Sequence, residues 1–342
     1  MSAARLKVSS FAGRLVLASV AVLALTSLPA QARDVTLLNA SYDVTRELYK
    51  DVNAAFGAAW KRCTGDAVTV NQSHGGSSKQ ARAVLEGLPA DVVTMNQALD
   101  IDLIAGQSGL VPQDWASRLP NHAVPFTSTI LFLVRKGNPK QVRDWEDLVK
   151  PGVVPIIPNP KTSGNGRYSY LAAWAYALGK SKGDEAAARA FVGQLFKAVP
   201  VLDTGGRAAT STFAQRGIGD VLLTFENEAQ LARADFPQSD LTVVVPSVSI
   251  LAESPVALVE KNAARHGTTI VAAAYLQFLF DPEAQEIGAR YFFRPVDPKV
   301  LAEHADRFPR LRLVSVADLG GWPAVQKKHF ADGGIFDQIF SR

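Results

Sequence analysis

The chain has 342 residues, of which 47% are hydrophobic, and a formal net charge of +4. This length favours two domains, and the apolar content is enough for two cores. No basic run exceeds two residues, so the composition gives no support for binding to nucleic acid or to another polyanion.

The first 32 residues have the pattern of a secretory signal peptide. Basic residues precede an apolar run over residues 15–28, and Ala30-Gln31-Ala32 supplies the small residues of a cleavage site. We therefore predict a cut before Arg33 and an exported mature chain. The cut removes three of the 36 basic residues and none of the 32 acidic ones, which leaves a net charge of +1. The apolar run is too short for a membrane span, and no later stretch reaches the roughly 18 apolar residues required.

The single cysteine, Cys63, excludes an internal disulfide bond. It also lies far from the predicted cut, so a lipid anchor on a new N-terminal cysteine is not expected. The five histidines are scattered, with no His-x-x-x-His spacing and no cysteine partner. We therefore expect no metal site and no cofactor. The mature chain is expected to be a monomer that is stabilised by its core alone.

Strands alternate with helices after the predicted cut, which indicates an α/β fold with a largely parallel sheet. The first predicted helix has apolar residues at helical spacing and ends near Gly65, and the second follows SHGGSSKQ and ends at Gly87. A third helix, over residues 168–178, is closed by Gly179. The predicted strands are residues 35–40, 67–71, 91–95, 128–135, 153–157, 199–202, 220–225, 241–245 and 255–259. The later predicted helices are residues 185–198, 268–280 and 282–291.

The order of these elements predicts two lobes that are joined by short crossovers, with a ligand cleft between them. Residues 33–126 are the predicted first part of lobe 1, and residues 127–245 are the predicted lobe 2. Residues 246–342 are the predicted return to lobe 1 together with the C-terminal helices. The strand at residues 128–135 is the predicted first crossover. Residues 241–245 and 255–259 are expected to form the return crossover and strands of lobe 1.

Four strand ends run into turns of hydroxyl-bearing or glycine residues that precede helices. A helix start leaves backbone N–H groups without acceptors and has the positive end of the helix dipole behind them, so each turn is a candidate anion site. Ligands of open α/β sheets bind at the carboxyl ends of strands, so an anion between two turns from each lobe would be held from both sides. Four ordinary capped helices are the alternative. The turns are residues 41–43, 75–78, 162–164 and 204–207.

Six segments of the chain resemble the periplasmic sulfate- and thiosulfate-binding proteins of bacterial ABC importers. The resemblance implies a two-lobed, type II (venus-flytrap) protein that captures a desolvated sulfate or thiosulfate and delivers it to membrane permease subunits. The segments run from the first strand to the last residues. They are SYDVTRELY from Ser41, QSHGGSSKQ from Gln72, RLPNHAVPFTSTILFLVRKGNPK from Arg118, NPKTSGNGRYSYLAAW from Asn159, DTGGRAATSTFAQRGIGDVLLTFENEA from Asp203 and GGIFDQI from Gly333.

The resemblance also implies which groups hold the anion. All of them are backbone N–H groups or hydroxyls; Arg207 lies farther out, and the Asp43 side chain is expected to cap its own helix. Asn165 stands where the sulfate-binding relatives have Gly, a change that keeps the backbone donor. The implied donors are the N–H of Asp43, the N–H and hydroxyl of Ser77, the hydroxyl of Ser163, the N–H groups of Gly164 and Asn165, and the N–H of Gly206.

Phe225 departs from the sulfate-binding pattern. The sulfate-binding relatives place at this position a Trp whose indole N–H bonds a ligand oxygen, and the five Trp residues of this chain lie elsewhere. Phenylalanine has no donor, so one hydrogen bond is missing or comes from water. Relatives associated with thiosulfate carry Phe here, whereas other segments are closer to the sulfate branch, so the preference between the two anions stays open.

An exported serine hydrolase is the main alternative to a binding protein. The run His74-Gly75-Gly76 resembles the oxyanion-hole turn of some esterases, with Ser77 as the nucleophile. The chain has no Gly-x-Ser-x-Gly elbow, and His74 is too close to Ser77 in sequence to come from a later loop. We therefore predict a binding protein and not an enzyme.

Overall fold

Strands and helices alternate along residues 33–340, the part of the chain that this computed structural model describes. The strands are β1 (Asp34–Tyr42), β2 (Ala67–Gly75), β3 (Val92–Thr94), β4 (Phe126–Ser128), β5 (Ile130–Val134), β6 (Pro155–Ile156), β7 (Val221–Phe225), β8 (Thr242–Val244), β9 (Val248–Ile250), β10 (Ala252–Ser254), β11 (Val256–Leu258), β12 (Arg294–Pro295) and β13 (Arg312–Val314). The helices are α1 (Arg46–Thr64), α2 (Ser77–Leu85), α3 (Ala98–Ser108), α4 (Pro120–Ala123), α5 (Gly164–Lys180), α6 (Glu185–Lys197), α7 (Gly206–Thr210), α8 (Glu226–Asp235), α9 (Glu260–His266), α10 (Thr269–Phe278), α11 (Pro282–Arg290), α12 (Pro298–Glu303), α13 (Gly321–Val325) and α14 (Ile335–Phe340). The predicted signal peptide, residues 1–32, lies outside the described residues.

Two four-stranded sheets form the centres of two lobes. The sheet of the first lobe has the order β11-β3-β1-β2, and β1 is parallel to β2 and β3 while β11 is antiparallel to β3. The sheet of the second lobe has the order β6-β7-β5-β8, in which β5 is antiparallel to both of its neighbours. The prediction of a two-lobed α/β fold is therefore confirmed. The expected largely parallel sheet is present in the first lobe, where only β11 is antiparallel, whereas in the second lobe only β6 and β7 are parallel neighbours.

A small third sheet lies where the chain passes between the lobes. In this sheet β4 is antiparallel to β10 and β12, and β4 leads directly into β5 while β10 leads into β11. The predicted long strand at residues 128–135 is therefore broken at Thr129, because the chain changes strand partners there. Glu226, at the start of α8, forms a bidentate ion pair with Arg294 of β12, with N–O distances of 2.6 and 2.9 Å. This ion pair fixes the second lobe to the connecting sheet.

Two predicted strands differ from the structure. Residues 199–202 form an irregular connection after α6, because Pro200 has no N–H to donate and Val201 is 36% exposed, so the segment meets no open sheet edge. The strand predicted at residues 241–245 is β8, which pairs with β5 inside the second lobe and is not part of the return crossover.

Helix α5, predicted over residues 168–178, covers Gly164–Lys180 and is therefore longer than predicted. It begins at Gly164 because Ser163 acts as its N-cap, with Oγ accepting from the N–H of Gly166 at 3.4 Å. Gly179 lies inside this helix, which ends at Lys180. The start of α5 therefore coincides with the predicted anion turn and does not follow it.

The last helices of the chain pack against the second lobe. Trp322 meets Tyr168 edge-on with ring centroids 5.4 Å apart, and Phe336 of α14 meets Phe196 of α6 at 5.3 Å. The Tyr170 hydroxyl lies 2.9 Å from Nδ1 of His329. By contrast α10 and α11 lie against the first lobe, as predicted. None of the helices within residues 33–340 has the length and apolar character needed to cross a membrane.

Candidate anion-binding site

The four predicted turns meet between the lobes. A Cβ placed on Gly76, just before α2, would lie 2.6 Å from the carbonyl oxygen of Thr162 and 3.1 Å from that of Thr204. A Cβ on Gly205 would lie 2.5 Å from Oδ2 of Asp43. Each first-lobe turn therefore touches a turn of the second lobe, and the lobes are closed over the space between the helix starts.

The start of α5 supplies buried N–H groups to this region. Gly164 and Asn165 are the first two residues of the helix, and both are buried. The first turn of a helix has no intrahelical acceptors for its N–H groups, and burying such groups without a partner costs free energy. An anion at this position would satisfy them and would also lie at the positive end of a 17-residue helix.

The hydroxyls of Ser77 and Ser163 both have a proton to donate. Ser77 is fully buried at the start of α2, and its Oγ accepts a hydrogen bond of 3.2 Å from the N–H of Asn96. Ser163 is also buried, and its Oγ accepts from Gly166. Because each oxygen already accepts, each hydroxyl proton is free to turn towards an acceptor between the lobes.

The side chain of Asn165 points away from the space between the lobes. Its Nδ2 donates to Oγ1 of Thr224 at 2.9 Å, and its Oδ1 accepts from Ser169 at 3.3 Å. The side chain is therefore engaged within the second lobe, and the backbone N–H remains the predicted donor. A Cβ on Gly206 would lie 3.0 Å from this Nδ2 and 3.1 Å from Cγ1 of Val44, so glycine allows α7 to approach both neighbours.

The Asp43 carboxylate does more than cap its own helix start, which corrects the expectation from sequence. Its Oδ2 accepts a hydrogen bond of 3.2 Å from the N–H of Arg207 at the start of α7. Burial raises the pKa of the Asp43 carboxyl, although hydrogen bonds from Arg207 and from the Asp43 and Val44 N–H groups oppose the shift. Asp43 thus joins the first lobe to a helix start of the second.

The Arg207 guanidinium is held by carboxylates from both lobes. Its nitrogens lie 2.8 Å from Glu47 of α1, 3.5 Å from Glu228 and 3.6 Å from Asp235. Burial raises the pKa of the Glu228 carboxyl to about 7, while the nearby Arg207 lowers it. The positive charge of Arg207 is therefore matched by these acidic groups and is not offered to a ligand.

Phe225 contributes an apolar wall. It is the last residue of β7 and is 2% exposed. Its ring meets Tyr42 of the first lobe with centroids 6.3 Å apart and Tyr168 of α5 at 5.8 Å, both edge-on. The ring therefore lies between the lobes beside the Asp43 turn and adds no hydrogen-bond donor.

The hydrolase alternative lacks its catalytic pair. His74 directs Nε2 to Oε1 of Gln72 at 2.7 Å and Nδ1 to the carbonyl oxygen of Tyr42 at 3.4 Å, so neither ring nitrogen is bonded to Ser77. Burial lowers the pKa of His74. Within residues 33–340, no group of three His, Cys, Asp or Glu side chains could hold a metal ion.

The sequence reasoning missed Asn96. This residue follows β3 and precedes α3, and its side chain lies against Gly164, so that a Cβ on Gly164 would overlap the amide. A fifth strand-to-helix turn, Met95-Asn96-Gln97, is visible in the sequence. It contains neither glycine nor a hydroxyl residue, so it lacks the features that the other four turns share.

Comparison with known proteins gives the family. A model of the family "Bacterial extracellular solute-binding protein" matches residues 37–294. A thiosulfate-binding protein of Pseudomonas aeruginosa is 58% identical over 89% of this chain and 92% of its own length. A sulfate-binding protein of Escherichia coli is 52% identical over 94% of this chain and 97% of its own length.

The solved structure of the sulfate-binding protein SubI from Mycobacterium tuberculosis H37Rv is similar as well. It is 35% identical, covers 86% of this chain and 98% of its own, and superposes with a TM-score of 0.78. The residues matched by the family model include all four turns. The chain therefore belongs to the bacterial extracellular solute-binding proteins and has their two-lobed α/β fold.

Proposed function

We propose that this protein captures sulfate or thiosulfate between its lobes in the periplasm and delivers it to the permease subunits of an ABC importer. The observation that carries the proposal is the meeting of four helix starts from two lobes around buried N–H groups and hydroxyls. Relatives of both kinds, named for sulfate and for thiosulfate, match along nearly the whole chain. The ligand is released unchanged in this proposal, because neither ring nitrogen of His74 is bonded to the Ser77 hydroxyl.

The proposed ligands of the anion are backbone and hydroxyl donors. Each hydrogen bond to a charged group contributes roughly 1.5–3 kcal/mol net. A helix dipole adds about 0.3–2 kcal/mol, so the hydrogen bonds provide most of the binding free energy. The donors are the N–H of Asp43, the N–H and hydroxyl of Ser77, the hydroxyl of Ser163, the N–H groups of Gly164 and Asn165, and the N–H of Gly206.

A site that contains only donors selects against protonated anions. Sulfate and thiosulfate carry no proton at neutral pH, whereas phosphate brings an O–H that would face another donor. Unpaired buried polar groups of this kind reject an analogue by up to ~10⁴–10⁵-fold.

Secretion and delivery complete the proposal. The predicted cut before Arg33 releases a monomer into the periplasm, and the closed lobes present one composite surface to the permease. Phe225 replaces the indole donor of the sulfate-binding pattern with an apolar ring, which suits the larger, softer sulfur of thiosulfate. We therefore place both anions in the proposed ligand class.

The test is calorimetric titration of the dialysed mature chain with sulfate, thiosulfate and phosphate at one pH and salt concentration. We expect one-to-one binding of sulfate or thiosulfate and at least ~10³-fold weaker binding of phosphate. Failure of both sulfur oxyanions to bind would contradict the proposal. Recovery of a chemically altered anion after incubation would contradict the assignment as a binding protein.

A further inference from the structure

The Asn96 side chain is buried at the anion site without a hydrogen-bond partner. The residue is 4% exposed, and Oδ1 is a buried oxygen with no partner. Its amide makes no hydrogen bond to any of residues 33–340, since only the backbone N–H of Asn96 is bonded, to Oγ of Ser77 at 3.2 Å. A buried amide that is left unpaired costs free energy, so a hydrogen-bond partner is expected for this side chain in the functional protein.

The position of this amide points to the anion. Oδ1 of Asn96 is the atom nearest to the Cβ site of Gly164, which also lies 2.5 Å from Cγ and 2.7 Å from Nδ2, so the amide covers the first residue of α5. The backbone of the same residue is bonded to Ser77. Asn96 therefore lies between a helix start of the first lobe and a helix start of the second, where the proposed donors meet.

The neighbouring amide shows what a purely structural role looks like. Nε2 of Gln97 donates to Oγ of Ser78 at 3.0 Å and to Oδ2 of Asp100 at 2.7 Å, all within the first lobe. Asn96 has no such partners, although it belongs to the same turn. Its amide is held in place by packing and by its own backbone, with its hydrogen-bonding groups unused.

We propose that Asn96 is a further ligand of the bound anion and donates its side-chain NH₂ to an anion oxygen. The inference rests on the proposed function, because it assigns one more residue to the same site. The two ends of an amide exchange by a half turn, and an anion that offers only acceptors selects the orientation with NH₂ towards it. The added donor offsets the one that Phe225 lacks.

The experiment compares three variants by calorimetry with sulfate and thiosulfate. Asn96→Ala removes the donor and should weaken binding of the preferred anion roughly 10- to 100-fold, the range for one hydrogen bond to a charged group. Asn96→Asp keeps the shape but replaces the donor by a negative charge, and should weaken binding further. Asn262→Ala is the matched control, because Asn262 is equally buried and its Nδ2 donates to the Ala90 carbonyl at 3.0 Å, at the opposite end of β3.

Thermal unfolding of each variant separates loss of binding from loss of fold. The side-chain ¹⁵N–¹H signals of Asn96, assigned by their absence from Asn96→Asp, should move downfield on titration of the wild type, because an N–H that donates to a charged oxygen is deshielded, whereas packing alone gives no such direction. Wild-type affinity in a folded Asn96→Ala or Asn96→Asp variant would overturn the inference and leave the proposed function intact. A wild-type chain that binds neither anion would overturn the proposed function itself.

Discussion

Closure of the lobes around the anion is tested by adding one methyl group at Gly76. This glycine has φ −57° and ψ 139°, a conformation that alanine adopts without strain, so Gly76→Ala should leave the first lobe folded. In the closed structure the new Cβ would lie 2.6 Å from the carbonyl oxygen of Thr162 and 3.1 Å from that of Thr204. Both are backbone atoms of the second lobe, so they cannot move aside as a side chain would.

The size of the effect follows from the cost of overpacking. An extra methyl group in a packed interface costs typically about 1–3 kcal/mol. We expect the cost to apply only to the closed state, because opening of the lobes would separate Gly76 from the second lobe. Since ligand binding requires closure, the dissociation constant should rise by about 5- to 150-fold, while the unfolding midpoint of the unliganded chain changes little.

The assay is calorimetric titration with sulfate and thiosulfate, combined with small-angle scattering with and without ligand. Gly106→Ala is the matched control, since Gly106 lies in helix α3 of the first lobe with no atom within 4 Å of its Cβ position. The control should bind with wild-type affinity. The reasoning would be refuted if Gly76→Ala bound with wild-type affinity and showed the same ligand-induced decrease in radius of gyration as the wild type. The contact would then be absent from the liganded state.

Three further predictions follow from the site and its surroundings. Ser77→Ala removes a hydroxyl donor but keeps the backbone N–H, and titration should show a loss of roughly 1.5–3 kcal/mol; an unchanged dissociation constant would place Ser77 outside the site. Phe225→Trp should shift the sulfate-to-thiosulfate affinity ratio towards sulfate through the added indole N–H. Equal changes for both anions would show that residue 225 lines the site without setting the preference between them. The pKa of the Glu228 carboxyl is raised to about 7, so its contribution to stability is complete below the unfolded pKa and is lost as the pH rises from about 4.5 to 7. Urea unfolding should show this loss, on the order of 3 kcal/mol, in the wild type and a flatter profile in Glu228→Gln; identical profiles would contradict the assignment.

The sequence by itself determined the elements that depend on local chemistry. The apolar periodicity predicted α1 and its end near Gly65, which takes a left-handed conformation with φ 84°. The hydroxyl- and glycine-rich turns predicted four helix starts, because capping and backbone freedom are properties of a few adjacent residues. The order of strands and helices was sufficient to predict two lobes.

The strand at residues 199–202 was predicted wrongly from the same kind of signal. A short apolar run becomes a strand only where a sheet edge is open to it, and local sequence does not contain that information. For the same reason β8 could be recognised as a strand, but its pairing with β5 could not be predicted.

Tertiary structure alone decided which residues from distant parts of the chain meet. The Asp43 carboxylate reaches the N–H of Arg207, and the Asn96 amide lies on Gly164, through closure of one lobe on the other. The last helices pack against α5 and α6, although they follow the return of the chain to the first lobe. These contacts join residues that are far apart in sequence, and their geometry depends on the packing of both lobes, which no local pattern of residues encodes.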